Sequence, residues 1–215
     1  MRLLFINPNA TVSMTEAVVE TARALTTAEI AGWTNHDGPP SIEGAEAGER
    51  AVPGVLSRLE AARDWRADVI VIACFDDTGL ERIRARAHCP VIGIGEAAFH
   101  MATLLAPRFR VMTSVENALP VIGENLAAYG FAPRCAGLHA SGIPVLELDS
   151  GSEEVVERLA AAIREAGGEE PVVLGCAGMS ALLPRLAARL PMPLVDGVAA
   201  ATLLAESLAR FRGAA

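Results

Sequence analysis

Short, unbroken apolar runs alternate along this chain with longer segments in which apolar and polar residues mix at helical spacing. Runs of the first kind, such as residues 69–73, are typical of strands buried on both faces of a parallel sheet. Segments of the second kind, such as residues 152–165, are typical of helices with one apolar face. Strands that alternate with helices predict an α/β protein with parallel sheets and right-handed crossovers.

The pattern predicts each half of the chain to contain four strand–helix units. The predicted strands are residues 2–7, 29–34, 69–73, 90–95, 110–114, 135–139, 172–175 and 193–195. The predicted helices are residues 13–25, 52–65, 78–86, 96–105, 117–129, 152–165, 181–190 and 198–212. Ser13 and Glu16 fit a capping box at the start of the first helix.

The two halves repeat one local pattern, in which a buried strand ends at a cysteine. One strand is followed by Cys74 and the other by Cys176, roughly half of the chain apart. Two further matches support a duplication, since residues 90–98 parallel residues 193–200 and Asn7 parallels Ser114 at the ends of two strands. The repeat predicts two pseudo-symmetric parallel-sheet lobes that pack closely, with the functional site in the cleft between them.

Each of these cysteines stands where a working side chain is expected, at the carboxyl end of a parallel strand. Each also precedes a predicted helix, and a helix N-terminus favours the thiolate, the reactive form of cysteine. Two thiols facing each other could invert a carbon stereocentre, one removing a proton and the other returning one to the opposite face. The alternative is that Cys74 and Cys176 are small buried apolar residues. Their matching turns favour the catalytic interpretation, whereas Cys89 and Cys135 lack that setting and are predicted to pack.

Other polar positions at the same sheet edge have two interpretations each. The turn at residues 175–178 could present backbone N–H groups to a ligand, or could simply join a strand to a helix. Asn7, Thr113 and Ser114 could hydrogen-bond a substrate or cap the following helix. Residues 76–78 are most simply a helix cap. A carboxylate beside Cys74 would oppose thiolate formation unless it points away.

Composition and charge exclude several classes of function. The net charge is −8 and the chain has no lysine, and its arginines are scattered, which argues against binding to nucleic acid or an anionic membrane. The apolar runs are too short for a signal peptide or a membrane span, so a cytoplasmic location with reduced cysteines is expected. The cysteine and histidine spacing does not fit a metal site, so we expect no metal.

Five motifs together resemble the hydantoin racemase branch of the aspartate/glutamate racemase superfamily, over nearly the whole chain. They are INPNAT at 6–11, PSIEG at 40–44, ACFDDTGL at 73–80, PVIGIGEA at 90–97 and GCAGM at 175–179. The resemblance implies a first lobe of residues 1–96 plus 197–215, containing Cys74, and a second lobe of residues 97–196, containing Cys176. One departure is Thr78, where the family often has proline, and it affects the turn rather than the thiols.

The resemblance also implies an isomerase that racemises 5-substituted hydantoins without a cofactor, using Cys74 and Cys176, and that forms a homo-oligomer. The ligand contacts that it implies are Asn7, Ile42, Phe75, Thr113, Ser114, Gly175, Gly178 and Met179. Three alternatives stay open, namely an allantoin racemase, an amino-acid racemase of the same superfamily and a catalytically idle relative that binds a small ligand. The residues that line the pocket would distinguish an allantoin racemase from a hydantoin racemase. Thiols that resist alkylation in the absence of substrate would favour the catalytically idle relative.

Overall fold

Two four-stranded parallel sheets form the centre of the protein in a computed structural model that describes residues 1–214. The strands are β1 (Arg2–Asn7), β2 (Glu29–Thr34), β3 (Val69–Ile72), β4 (Val91–Gly93), β5 (Phe109–Thr113), β6 (Cys135–Ala140), β7 (Val172–Gly175) and β8 (Leu194–Asp196). The first sheet has the order β2-β1-β3-β4 and the second the order β6-β5-β7-β8. All pairings are parallel. This shared order confirms the predicted α/β fold with two similar lobes.

The strands are connected by helices. These are α1 (Val12–Arg23), α2 (Ala45–Leu56), α3 (Leu59–Asp64), α4 (Leu80–Arg84), α5 (Ile94–Leu105), α6 (Leu119–Ala128), α7 (Val145–Asp149), α8 (Glu153–Glu165), α9 (Leu183–Ala187) and α10 (Gly197–Ala214). Short 3₁₀ segments occur at Glu116–Ala118, Ala132–Arg134 and Ala177–Leu182. None of the helices within residues 1–214 combines the length and the apolar composition that crossing a bilayer requires.

The predicted strand at residues 90–95 was wrong at its end, because Ile94 and Gly95 begin α5. The cause is Asp77, whose carboxyl group accepts hydrogen bonds from the backbone N–H groups of Gly95 at 2.9 Å and of Glu96 at 2.8 Å. These bonds satisfy the first turn of the helix. A Cβ atom at Gly95 would collide with the carbonyl of Phe75, so the close approach of the turn depends on glycine.

The predicted capping box was also wrong. The N-cap of α1 is Thr11, which makes no side-chain capping bond. The hydroxyl of Ser13 instead donates to Asp149 Oδ2 at 2.6 Å. The Ser13 hydroxyl therefore contacts the other half of the chain and does not cap its own helix. A local sequence pattern cannot predict such a long-range contact.

Three other predicted helices have clearly different bounds. The helix at residues 181–190 is reduced to α9, because the 3₁₀ segment Ala177–Leu182 precedes it. The helix at residues 52–65 is two helices, α2 and α3, and the first begins earlier than predicted. The helix at residues 78–86 shortens to α4, because Asp77 and Gly79 adopt positive φ angles of 49° and 68°, which are incompatible with a continuing helix.

The largest apolar cluster lies between the two sheets and includes residues from both. Phe5 and Val71 of the first sheet belong to it, as do Val111 and Val173 of the second, together with α5 and α10. Phe99 on α5 stands within it, with its ring centroid 5.6 Å from that of Phe75 and 5.7 Å from that of Phe109. Two further clusters cover the outer faces of the sheets.

The closing helix α10 contacts β1, β3 and β4 of the first sheet, and also β7 and β8 of the second. The division into residues 1–96 plus 197–215 and residues 97–196 therefore stays a prediction. Ala215, the last residue of that predicted first lobe, lies outside the described residues.

Candidate active site

Cys74 and Cys176 line one small cavity between the two sheets. One residue, Ala73, lies between the end of β3 and Cys74, whereas Cys176 directly follows the last residue of β7. The two strands occupy equivalent places in their sheets, each between the first strand of its lobe and the edge strand β4 or β8. The duplication therefore brings the two thiols to the same cavity from opposite lobes.

Most of the other predicted contacts lie in the wall of the same cavity. These are Ile42, Phe75, Thr113, Ser114, Gly175 and Gly178. Thr113 Oγ1 donates to the carbonyl oxygen of Gly175 at 2.8 Å, which ties the ends of β5 and β7 together. A Cβ atom at Gly175 would lie 2.9 Å from the carbonyl oxygen of Met112, so glycine lets these two strand ends approach.

Asn7 and Met179 do not line this cavity. The side-chain amide of Asn7 is buried and donates to Asn9 Oδ1 at 2.9 Å and to Thr15 Oγ1 at 3.0 Å. Met179 is fully buried in the apolar cluster of the second lobe. The structure thus gives both residues contacts within the protein, and their predicted contacts with a ligand stay predictions.

Several cavity residues were not predicted as site residues, and those with larger or polar side chains are Asn9, Met14, Asp76 and Val145. Asn9 sits in the turn that follows β1, so its place at the end of a strand was a usable signal. Met14 and Val145 lie on α1 and α7, and reach the cavity only because those helices close over it. Local sequence patterns do not encode that packing.

Both thiols are protonated at neutral pH in this state. Burial and the nearby Asp76 carboxyl raise the pKa of Cys74 well above its ordinary value. Burial raises the pKa of Cys176 to about 12, and the nearby charges of Asp76, Glu43 and Asp149 add to this effect. A hydrogen bond from the backbone N–H of Gly178 opposes it. The expectation that helix N-termini would favour the thiolates was therefore wrong for this closed state. The following helical segments, α4 and Ala177–Leu182, are short, and desolvation outweighs them.

Asp76 is the carboxyl group closest to this chemistry in sequence, and it does not point away from the cavity. Burial raises its pKa to about 7, opposed by a hydrogen bond from the backbone N–H of Gly44. Its backbone carbonyl accepts a bond from Asn125 Nδ2 at 2.9 Å. Its neighbour Asp77, rather than Asp76, provides the helix cap expected from residues 76–78, and it caps α5 instead of the helix that follows it.

The cavity is small. Its volume is about 30 Å³, which is room for one or two water molecules, whereas small-molecule pockets usually measure about 300–1,000 Å³. Two hydrogen bonds join the halves of the chain near it: Ser13 to Asp149 at 2.6 Å and the backbone N–H of Val145 to Glu43 Oε1 at 2.9 Å. A ring-shaped ligand can enter only when these elements separate.

Within residues 1–214, histidine, cysteine and carboxylate side chains form no group of three or more that could hold a metal ion. The acidic side chains that line the cavity are two thiols and one carboxyl group, each of which can exchange a proton.

The fold and the site place the chain among the two-lobed α/β racemases. The family model described as Asp/Glu/Hydantoin racemase matches residues 3–205, and the chain belongs to this family. Membership confirms the resemblance seen in the motifs and the expected enzyme class, an isomerase.

Named relatives cover almost the whole chain. A hydantoin racemase from Rhizobium meliloti is 38% identical over 213 residues, which are 97% of this chain and 88% of the relative. The solved structure of an allantoin racemase from Klebsiella pneumoniae is 40% identical, with a TM-score of 0.92 over 99% of this chain and 89% of that one. The structure of an allantoin racemase from Pseudomonas fluorescens is 36% identical, with a TM-score of 0.91, and the match covers 99% of this chain and 92% of that one.

Proposed function

We propose that this protein racemises 5-substituted hydantoins, with Cys74 and Cys176 as the two proton-transferring groups. The observation that carries the proposal is that one thiol from each lobe lines the same small cavity. The similarity to named hydantoin racemases supports the substrate class.

The chemistry requires one acid and one base on opposite sides of the ring. The C5–H bond of a hydantoin is acidified by the adjacent carbonyl group, so a thiolate on one face can remove that proton. The electron pair is delocalised into the carbonyl, which leaves a planar carbon. The thiol on the other face then donates its proton to C5 and becomes the thiolate. The product has the opposite configuration, and no electrons leave or enter the site.

Allantoin, a hydantoin with a ureido group at C5, is the second candidate substrate. It is favoured by the two allantoin racemase structures, which match at 40% and 36% identity. Against it, Met14, Ile42 and Val145 contribute apolar side chains to the cavity wall. An apolar C5 substituent suits this lining better, because a buried ureido group needs hydrogen-bond partners.

Separated enantiomers of 5-benzylhydantoin and of allantoin test the proposal, with optical rotation and C5–H exchange in deuterium oxide as readouts. Cys74→Ser and Cys176→Ser should each lower racemisation by about 100-fold or more, since a hydroxyl has a far higher pKa than a thiol. Each variant should still exchange the C5 proton of one enantiomer without inverting it. Cys89→Ser, a half-buried cysteine outside the cavity lining, is the matched control and should racemise normally.

Two results would contradict the proposal in different ways. Racemisation near the wild-type rate by either cavity variant would refute the two-thiol mechanism. If the protein racemises allantoin but not 5-benzylhydantoin, the proposed substrate is wrong, whereas the two-thiol mechanism still holds.

A further inference from the structure

Asn9 is a polar side chain in the cavity wall to which the two-thiol chemistry gives no role. It lies in the turn after β1, is only 6% exposed, and lines the cavity that Cys74 and Cys176 share. The strands β1 and β3 are neighbours in the first sheet, and the backbone N–H of Ala73 donates to the carbonyl oxygen of Ile6 at 2.9 Å. The turn that contains Asn9 therefore leaves the sheet beside the turn that contains Cys74.

The orientation of the Asn9 amide is fixed by its neighbours. Its Oδ1 atom accepts hydrogen bonds from the backbone N–H of Thr11 at 2.9 Å and from Asn7 Nδ2 at 2.9 Å. Its own backbone N–H donates to Asn7 Oδ1 at 3.1 Å. Because a backbone N–H can only donate, the amide atom that faces Thr11 is the oxygen, and Nδ2 is on the other branch. Asn7 thus holds Asn9 in place, although Asn7 itself does not line the cavity.

The Nδ2 group of Asn9 has unused hydrogen-bonding capacity. It carries two hydrogens, and within residues 1–214 the acceptor it contacts is the thioether sulfur of Met14, at 3.3 Å. A thioether is a weak acceptor, so this contact replaces little of the hydration that a buried amide loses. Met14 also lines the cavity, and the contact therefore places Nδ2 on the cavity side of the turn. The methionine side chain is flexible, so its sulfur can move aside for a ligand at little cost.

We propose that Asn9 Nδ2 donates a hydrogen bond to the carbonyl oxygen beside the reacting carbon, which is the C4 oxygen of a hydantoin ring, in place of its contact with Met14. The inference rests on the proposed function and adds to it a group that stabilises the charge created by proton transfer.

The chemistry of the ring gives such a donor a use. When a thiolate removes the C5 proton, the electron pair of the C5–H bond forms a double bond between C5 and C4, and the π electrons of the C4 carbonyl move to its oxygen. Return of a proton from the second thiol reverses both shifts. A donor aimed at the oxygen on which charge develops lowers the barrier, and removal of one such donor costs about 10²–10³ in rate.

One donor can serve both enantiomers. The C4 oxygen lies in the plane of the ring, whereas the C5 proton leaves on one face and returns on the other. Variants of Asn9 should therefore slow C5–H exchange of both enantiomers, unlike Cys74→Ser and Cys176→Ser, each of which should keep the exchange of one.

Substrates with sulfur in place of one carbonyl oxygen test the inference. C5–H exchange in deuterium oxide would be compared for 5-benzylhydantoin, its 4-thio analogue and its 2-thio analogue, after subtraction of the uncatalysed rate. Asn9→Asp keeps an Oδ1 acceptor for Thr11 and Asn7 and, at about pH 8, where the new carboxyl group is ionised, has no donor. It should lower kcat about 100-fold for the two substrates with a C4 oxygen, but about tenfold or less for the 4-thio analogue, since sulfur is a weak acceptor.

Two further variants separate loss of the donor from the added charge. Asn9→Ala removes the donor without adding a charge and should show the same preference among the three substrates. Asn117→Asp is the matched control, because Asn117 is exposed, does not line the cavity and precedes the cavity residue Ala118. It should change all three rates by less than about twofold, since solvent screens an exposed charge. Losses of equal size for all three substrates in both Asn9 variants would overturn the inference, because a residue that only shapes the turn cannot distinguish the two carbonyl groups.

A binding measurement separates this inference from the proposed function. Infrared spectra of bound hydantoin, labelled with carbon-13 at C4 or at C2, report hydrogen bonding to each carbonyl without turnover. In Asn9→Ala the C4 stretch should lie at higher wavenumber than in the wild type, and the C2 stretch should not move. A shift confined to C4 in a protein that racemises no hydantoin would support the contact and refute the proposed function. An unchanged C4 stretch, or no bound hydantoin in the wild type, refutes the contact whether or not the protein is a racemase.

Discussion

At the scale of single residues, the sequence predicted that Cys74 and Cys176 lie at one site, but not that burial raises the pKa of both thiols. Cys74 and Cys176 could be found because each ends a buried strand, and that position fixes which edge of the sheet the side chain reaches. Their raised pKa values could not be predicted, because desolvation depends on how the lobes close over the thiols. The sequence showed Asp76 only as a residue near Cys74. That its Oδ2 atom is buried without a hydrogen-bond partner in residues 1–214 depends on the packing around it.

The buried Asp76 carboxyl should reduce stability at alkaline pH. Its pKa is raised from 3.8 to about 7, so the folded protein binds a proton that the unfolded chain has released across that window. Stability from this group is therefore greatest at low pH and is lost as the pH rises through about 7. Asp76→Asn should gain stability relative to the wild type between pH 5 and pH 8, by on the order of a few kcal/mol. Urea unfolding at both pH values measures the difference, and a constant difference would show that the site does not penalise the charge.

At the scale of elements, the strands and the starts of α1, α8 and α10 were predicted closely, whereas the starts of α2, α4 and α5 were not. Both β1 and β2 have the predicted bounds. The apolar run of β1 ends at Asn7, which marks its end in the sequence. The start of α5 was misplaced, because it is set by Asp77, a residue that is distant in sequence. The capping box at Ser13 failed for the same kind of reason, since Asp149 competes for its hydroxyl.

Asp77 should therefore stabilise α5 from outside that helix. It accepts two backbone hydrogen bonds at the start of α5 and one from Tyr129 Oη at 3.1 Å. Asp77→Ala would leave these donors without a partner, at a cost of about 1–3 kcal/mol in the free energy of unfolding. Urea titration of the variant and the wild type measures this difference.

The exposed Asp64, at the end of α3, provides the comparison for that variant. Asp64→Ala should change the free energy of unfolding by less than about 0.5 kcal/mol. Equal effects of the two substitutions would mean that Asp77 contributes no more than a surface carboxylate.

At the scale of the whole molecule, the two lobes close a cavity too small for the proposed substrate. The similar order of strands in both halves made the cleft predictable, whereas the degree of closure depends on the contacts of α1 and α7 across its mouth. Opening must break the hydrogen bond between Ser13 and Asp149 and that between Val145 and Glu43. The hydrogen bond between Ser13 and Asp149 is exposed to solvent, so it contributes little to holding the lobes together.

Ser13→Ala should shift the protein towards the open state. Loss of this hydrogen bond, about 0.5–1 kcal/mol, should speed iodoacetamide labelling of Cys74 and Cys176 by about two- to fivefold at constant pH. Ser207→Ala removes an exposed hydroxyl on α10 that bonds only to the backbone of its own helix, and it should leave labelling unchanged. If Ser13→Ala also labels at the wild-type rate, other contacts hold the lobes closed.

The apolar cluster centred on Phe99 has a consequence for how the chain unfolds. Phe75 and Phe109, from opposite halves, pack on the same ring, and Val71 and Val173 belong to the same cluster. Cutting the chain between the halves would expose this cluster to water on both sides, so neither half has a complete interior of its own. The repeated halves are therefore a single cooperative unit in folding. An ancestral single repeat could have had such an interior only as a dimer, with a second copy in the place of the other half.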